Sequence, residues 1–125
     1  MPLDPVRETA VHVLVEVENG SRLEPLLEAL ESVPSRDRRF LHQVTAGVTK
    51  WRDRLDWILD RFSKRPIASL TPGIRQVLRL GVYQILWLDR VPERAAVHTS
   101  VELAKHLEHA GTGGFVNAIL RRVIA

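Results

Sequence analysis

His98, Glu102 and His106 recur every four residues and so share one face of a helix, with His109 close by. Two histidines and a carboxylate form a zinc donor set. The outer two, however, lie about 12 Å apart along a helix axis, so one ion cannot reach all three, and an i, i+4 pair alone lacks a third ligand. The row reads instead as a solvated polar face with an i, i+4 pair. Ser100 falls on the inward face with no orienting acid beside it, which argues against a histidine-activated nucleophile. Gly111, Gly113 and Gly114 invite comparison with a phosphate loop, but no strand precedes them and no Lys-Ser/Thr pair follows. No catalytic residue, metal or cofactor is therefore expected; the residue types point to binding.

The binding chemistry lies further back in the chain. Arg36, Arg38 and Arg39 crowd the first turn of a helix that Ser35 is expected to cap. Cations there oppose the helix dipole, a cost that a bound phosphate would offset and that Asp37 partly offsets locally. In the next segment Trp51, Leu55, Ile58, Leu59 and Phe62 form one apolar stripe, and Trp57 projects to the other side with Arg54 and Arg61. An exposed aromatic flanked by guanidinium groups is the composition of a surface that stacks bases and holds phosphates. The spacing equally allows Trp57 to pack against a neighbouring helix. Arg52 joins the arginines expected to contact phosphates. The charge distribution agrees: the chain carries +3 in all, but residues 1–35 carry −5, residues 36–65 carry +5 and residues 66–125 carry +3. Such a split offers a basic surface to a polyanion, with nucleic acid the leading candidate.

The elements that position these residues are all helical. Residues 71–88, TPGIRQVLRLGVYQILWL, are apolar on almost every side beyond the first turn, with Leu80, Val82, Leu86 and Trp87 covering flanks that would otherwise meet water. This predicts a buried central helix started by a Thr71 cap and Pro72. Arg75 and Arg79, one turn apart on its least apolar side, are the part of it open to a functional role. Asp4-Pro5 opens a first helix that stops at Asn19-Gly20, and Ser21 with Glu24 predicts a capping box for a short second one. A sixth helix is expected over about 93–109, then a flexible Gly111–Gly114 connection, then a last helix over 115–124. No period-two pattern appears, so the fold class is all-α, with about seven helices joined by short turns.

A chain of 125 residues suits one domain over 1–125. It has no cysteine, which excludes disulfides and thiolate metal sites and fits a reducing compartment. Met1 to Arg7 is short and polar with no apolar run after it, so no secretory leader is expected and the cytoplasm is the default. Arg75, Gln76, Arg79 and Gln84 interrupt the longest apolar stretch, which sets a membrane span aside.

Several motifs now combine. VPERAAVHTSVELAK at 91–105, GFVNAILRRV at 114–123 and LRLGVYQILWLDRVP before them resemble the NusB-like family. Over residues 7–123 the chain resembles the N-terminal domain of the RsmB (Sun/Fmu) ribosomal RNA cytosine-5 methyltransferases, including SRDRRFLHQVTAGVTKWRDRLD and RPIASLTPGIRQVLRLGVYQ. His98-Thr99 departs from the Asn-Glu that relatives commonly carry. The resemblance implies a seven-helix fold of two small bundles around the central helix, and RNA binding in which Phe115 and Asn117 match a motif that grips single-stranded RNA. Arg7 stands alone where antitermination relatives have an arginine-rich run, and Arg121 near the chain end adds to the basic set. The resemblance also implies partners: ribosomal RNA, and a catalytic methyltransferase domain or a ribosomal protein. In the methyltransferases a cysteine of a separate domain attacks the cytosine ring, so this chain is expected to be a non-catalytic accessory domain or a stand-alone RNA-binding adaptor. A protein-interaction module and an antitermination factor are the competing readings.

Overall fold

The structure, a computed structural model, describes residues 3–30 and 33–125; Met1, Pro2, Glu31 and Ser32 of the domain expected over 1–125 lie outside the described residues. Among the described residues there are seven α-helices, one 3-10 turn and no strand. They are α1 (Pro5–Glu18), α2 (Leu23–Glu28), α3 (Ser35–Lys50), α4 (Arg52–Phe62), the 3-10 turn Ile67–Ser69, α5 (Pro72–Trp87), α6 (Glu93–Leu107) and α7 (Ala110–Ile124). No described helix is long and apolar enough to cross a membrane.

Local chemistry explains most boundaries and corrects some. Asp4 caps α1, its carboxylate accepting the Arg7 N–H at 3.1 Å, with Pro5 in the first turn. At the other end Gly20 adopts φ 109°, and the Gly20 and Ser21 N–H groups return to the carbonyls of Val17 and Glu16 at 3.0 Å. That is a Schellman closure, which glycine enters without a Cβ penalty. It commits Ser21 to the end of α1, so the predicted capping box does not form, and Arg22 precedes α2 with no side-chain cap. Pro34 takes the cap position expected of Ser35, again without a side-chain bond. Thr71 does precede α5, but its hydroxyl donates to Glu108 at 2.6 Å rather than capping the helix.

The glycine stretch is the largest departure from expectation. α6 ends at Leu107 and α7 already begins at Ala110, so Gly111, Gly113 and Gly114 form helix rather than a flexible connection. Several glycines in a first turn cost about 1 kcal/mol each. The cost is offset by capping: His109 Nδ1 accepts the Gly111 N–H at 3.1 Å, and the His109 carbonyl accepts from Thr112 and Gly113.

α5 is the axis of the fold. Ile74 and every residue from Gln76 to Gln84 are buried, with α1, α3, α4, α6 and α7 all packed against it. Gly81 permits close approach of α6 and α7, since a Cβ there would stand 2.9 Å from Leu120 Cδ1 and 3.0 Å from Ser100 Oγ. Two of the predicted apolar positions stay at the surface: Leu86, 49% exposed where α5 emerges from the bundle, and Trp51, which separates α3 from α4 rather than lining the α4 stripe.

Arg75 and Arg79 are scaffold, not ligand-binding groups. The Arg79 guanidinium is buried, donating to Glu18 Oε2 at 2.6 Å and to both Asp56 oxygens at 2.7 Å. Arg75 donates to Glu18 Oε1 at 2.7 and 3.0 Å and to the carbonyls of Ala68 and Leu70 at 3.0 Å. Helices α1, α4 and α5 are thereby tied through one network in which the guanidinium donors are spent.

Candidate nucleic-acid interface

The face of α4 that points away from the core carries the clearest binding chemistry. Leu55 and Leu59 are fully buried, and the helical step that turns them inward turns Trp57 outward, where it is 59% exposed. Of the two outcomes left open by its spacing, surface placement is the one found. Arg61, one turn on, lays its guanidinium carbon 4.8 Å from the centre of a Trp57 ring, a cation–π contact that keeps the indole face oriented. Arg54, one turn before, is exposed and has no ion-pair partner among the described residues. Arg52 is also exposed but lies about 140° around the helix from Trp57, at the crevice beside Glu18 and Arg79.

Packing of α4 against α7 extends this surface with residues that sequence reasoning passed over. Arg122 Nη1 donates to the Phe62 carbonyl at 3.2 Å, holding the end of α4 to α7. Just beyond α4, the Arg65 guanidinium stands 6.0 Å from the Phe115 ring centre. Phe115 is half-buried and lines a cleft of about 250 Å³ with Arg65, Thr71, Glu108 and His109. Glu108 accepts the hydroxyls of Thr71 and Thr112 at 2.6 and 2.7 Å, and these bonds hold its carboxyl below the ordinary 4.5. An aromatic ring, a guanidinium and a fixed carboxylate are the groups needed to stack a base, hold its phosphate and accept from an exocyclic amine. Phe115 was named by its motif, but its pairing with Arg65, fifty residues earlier in the chain, was not legible in the sequence.

The remaining candidates do not converge on this surface. Asn117 lies about 200° from Phe115 around α7; it faces a groove against α6 with Arg94, His98 and Lys105, and its Oδ1 accepts from Arg121 Nε at 3.1 Å. The two motif residues thus serve different clefts. Arg36, Arg38 and Arg39 are exposed on α3; Arg38 Nε donates to the Val33 carbonyl at 3.0 Å, while Arg36 and Arg39 line a separate groove with the end of α5. Arg7 is engaged in the fold, paired with Asp4, donating through Nε to Gln84 at 2.7 Å and lying 4.8 Å over the Phe40 ring. His106 turns to Glu8 of α1 at 3.4 Å, away from the groove that His98 and Glu102 line. Among the described residues no group of three or more metal-ligating side chains converges.

A profile of the NusB family matches residues 4–125. The probable ribosomal RNA small subunit methyltransferase B of Bacillus subtilis is 34% identical over 94% of this chain, which spans only 27% of that relative's length. The transcription antitermination protein NusB of Ruminiclostridium cellulolyticum is 34% identical over 94% of this chain and 84% of its own. A crystal structure of the antitermination factors NusB and NusE in complex with double-stranded RNA aligns with a TM-score of 0.83 at 21% identity, covering 94% of this chain and 92% of that one. At that identity the likeness establishes the fold alone.

Proposed function

The chain belongs to the NusB family, and from that premise we propose that it is an RNA-binding accessory domain acting in ribosomal RNA modification. The observation that carries the proposal is the exposed Trp57 ring beneath Arg61, continued across the α4–α7 seam by Arg65, Phe115 and Arg122. Unpaired bases stack on Trp57 and Phe115, and the flanking arginines hold phosphates. The domain spans 27% of the methyltransferase it resembles, which supports a role in presenting RNA to a catalytic methyltransferase domain rather than in the methyl transfer itself. A cytoplasmic location and one domain over 1–125 belong to this reading.

Titration of unpaired ribosomal RNA fragments tests it. With three or four phosphates neutralised, affinity falls about thirtyfold between about 50 and about 200 mM salt. Trp57→Ala weakens binding about fivefold to tenfold for unpaired RNA and less for duplex, since stacking on an aromatic needs an open base. Absence of binding at the lower salt would sink the proposal.

An antitermination role is the second reading, favoured by the 84% of the Ruminiclostridium NusB that the chain spans. Gripping RNA through a basic first helix would require Arg7, whose donors are turned to Asp4 and Gln84. Arg7→Ala is therefore expected to leave RNA affinity within about twofold while lowering thermal stability, because hydrogen bonds and packing rather than a phosphate contact are lost. A tenfold loss of affinity in a folded Arg7→Ala variant would shift the balance to antitermination.

A further inference from the structure

The far end of α5 carries a second aromatic and basic surface. Tyr83 stacks on Trp87, with ring centres 5.8 Å apart and planes 15° from parallel, and Trp87 meets Trp51 at 5.8 Å and 37°. Trp51 is 36% exposed, and Lys50 Nζ lies 5.3 Å over its ring. Beside this ladder runs a groove of about 890 Å³ in which Arg36, Arg39 and Phe40 of α3 face Trp87, Leu88 and Arg90. The three arginines are exposed, and none has an ion-pair partner among the described residues. Among the described residues Asp89 is the one carboxylate lining the groove, so the charge they offer is predominantly positive.

Resting on the RNA-binding reading above, we infer that this groove and the exposed Trp51 beside it form a second RNA contact, in which Trp51, backed by Trp87, stacks an unpaired base and Arg36, Arg39 and Arg90 hold the flanking phosphates. Charge complementarity selects the occupant, because a polyanion meets three uncommitted guanidinium groups next to flat aromatic faces, the combination that non-specific single-strand binders use. Position sets the consequence. Thr71, at the start of α5, lines the Phe115 cleft, and Trp87, at its end, lines this groove. A helix of 16 residues separates them by about 24 Å. One strand long enough to reach both gains from the second contact as an intramolecular event.

The test uses unpaired oligouridylates of about four and about twelve nucleotides. The protein has three tryptophans, so Trp57→Phe keeps a stacking ring on α4 and leaves Trp51 and Trp87 as the fluorophores. In that background the longer oligonucleotide is expected to bind at least about tenfold tighter than the shorter and to quench the remaining tryptophan emission. Arg39→Ala with Arg90→Ala, both at exposed positions, is expected to remove most of that length advantage with an unchanged circular dichroism spectrum. Binding of the longer oligonucleotide without quenching, and without effect of the arginine substitutions, would overturn the second contact while leaving the α4–α7 surface intact. Quenching by poly-glutamate but not by RNA would overturn it in favour of an acidic protein partner. Absence of RNA binding at low salt would overturn both readings. Quenching that survives Phe115→Ala and loss of the Trp57 ring would support this groove against the α4–α7 surface.

Discussion

Replacing Arg79 with alanine is expected to destabilise the protein by about 2–4 kcal/mol, from the loss of its charge-assisted hydrogen bonds and packing and from a half-buried Asp56 left without its cation. Arg79 is 4% exposed and is shared between Glu18 of α1 and Asp56 of α4, so its removal leaves Asp56 unpaired and Glu18 with Arg75 alone at the junction of three helices. Urea denaturation reads the loss as a lower midpoint at an unchanged slope. Adding Asp56→Asn to Arg79→Ala should recover part of it, since the amide needs no counter-charge; a further loss of the same size would show that the charges were not the cause. Acid dependence provides an independent check. Burial by itself raises the Glu18 carboxyl, but the hydrogen bonds and charges of Arg75 and Arg79 outweigh it, and the group lies below its ordinary 4.5. A depressed folded value means that the stabilisation is complete above the unfolded value and is lost as pH falls through the folded one. Stability of the wild-type protein should therefore fall below about pH 4.5, and Arg79→Ala should flatten that dependence because Glu18 retains only Arg75.

The second large effect is expected at Gly47. A Cβ built there would stand 2.2 Å from Tyr83 Cζ and Oη, inside any permissible contact. Gly47→Ala gains helix propensity but must displace the buried Tyr83 ring from α5, for a net loss of about 1–3 kcal/mol typical of overpacking. Because Tyr83 stacks on Trp87, the displacement should also alter tryptophan emission. Tyr83→Ala opens the space, so a double-mutant cycle should show the two changes to be less than additive. Additive losses would mean that the ring is not what Gly47 accommodates.

The helices were legible in the sequence because their signals are local. Pro5 and Pro72 after a polar residue, the buried run through α5 and the stripe of Leu55 and Leu59 all report on a few consecutive turns. The misreadings also have local causes. Ser21-x-x-Glu24 has the pattern of a capping box, but the serine N–H was needed one turn earlier to close α1 over Gly20. Gly111 to Gly114 has loop composition, but His109 and the Glu108–Thr112 bond hold it as helix. Arg75 and Arg79 looked available because their acids, Glu18 and Asp56, come from other helices.

For the proposed binding surface, the sequence by itself determined an all-helical chain with its positive charge concentrated in residues 36–65, a phase that placed Trp57 beside Arg54 and Arg61, and a motif containing Phe115 and Asn117. Only the tertiary structure decided that Trp57 is uncovered, that Phe115 joins Arg65 while Asn117 faces α6, that Arg7 is held by the fold, and that Arg36 and Arg39 meet Trp87 in a separate groove. The physical reason is range. Helical phase and net charge follow from neighbours within a few residues, whereas exposure and the partner of each cation depend on which helix packs against which, and those contacts join residues tens of positions apart.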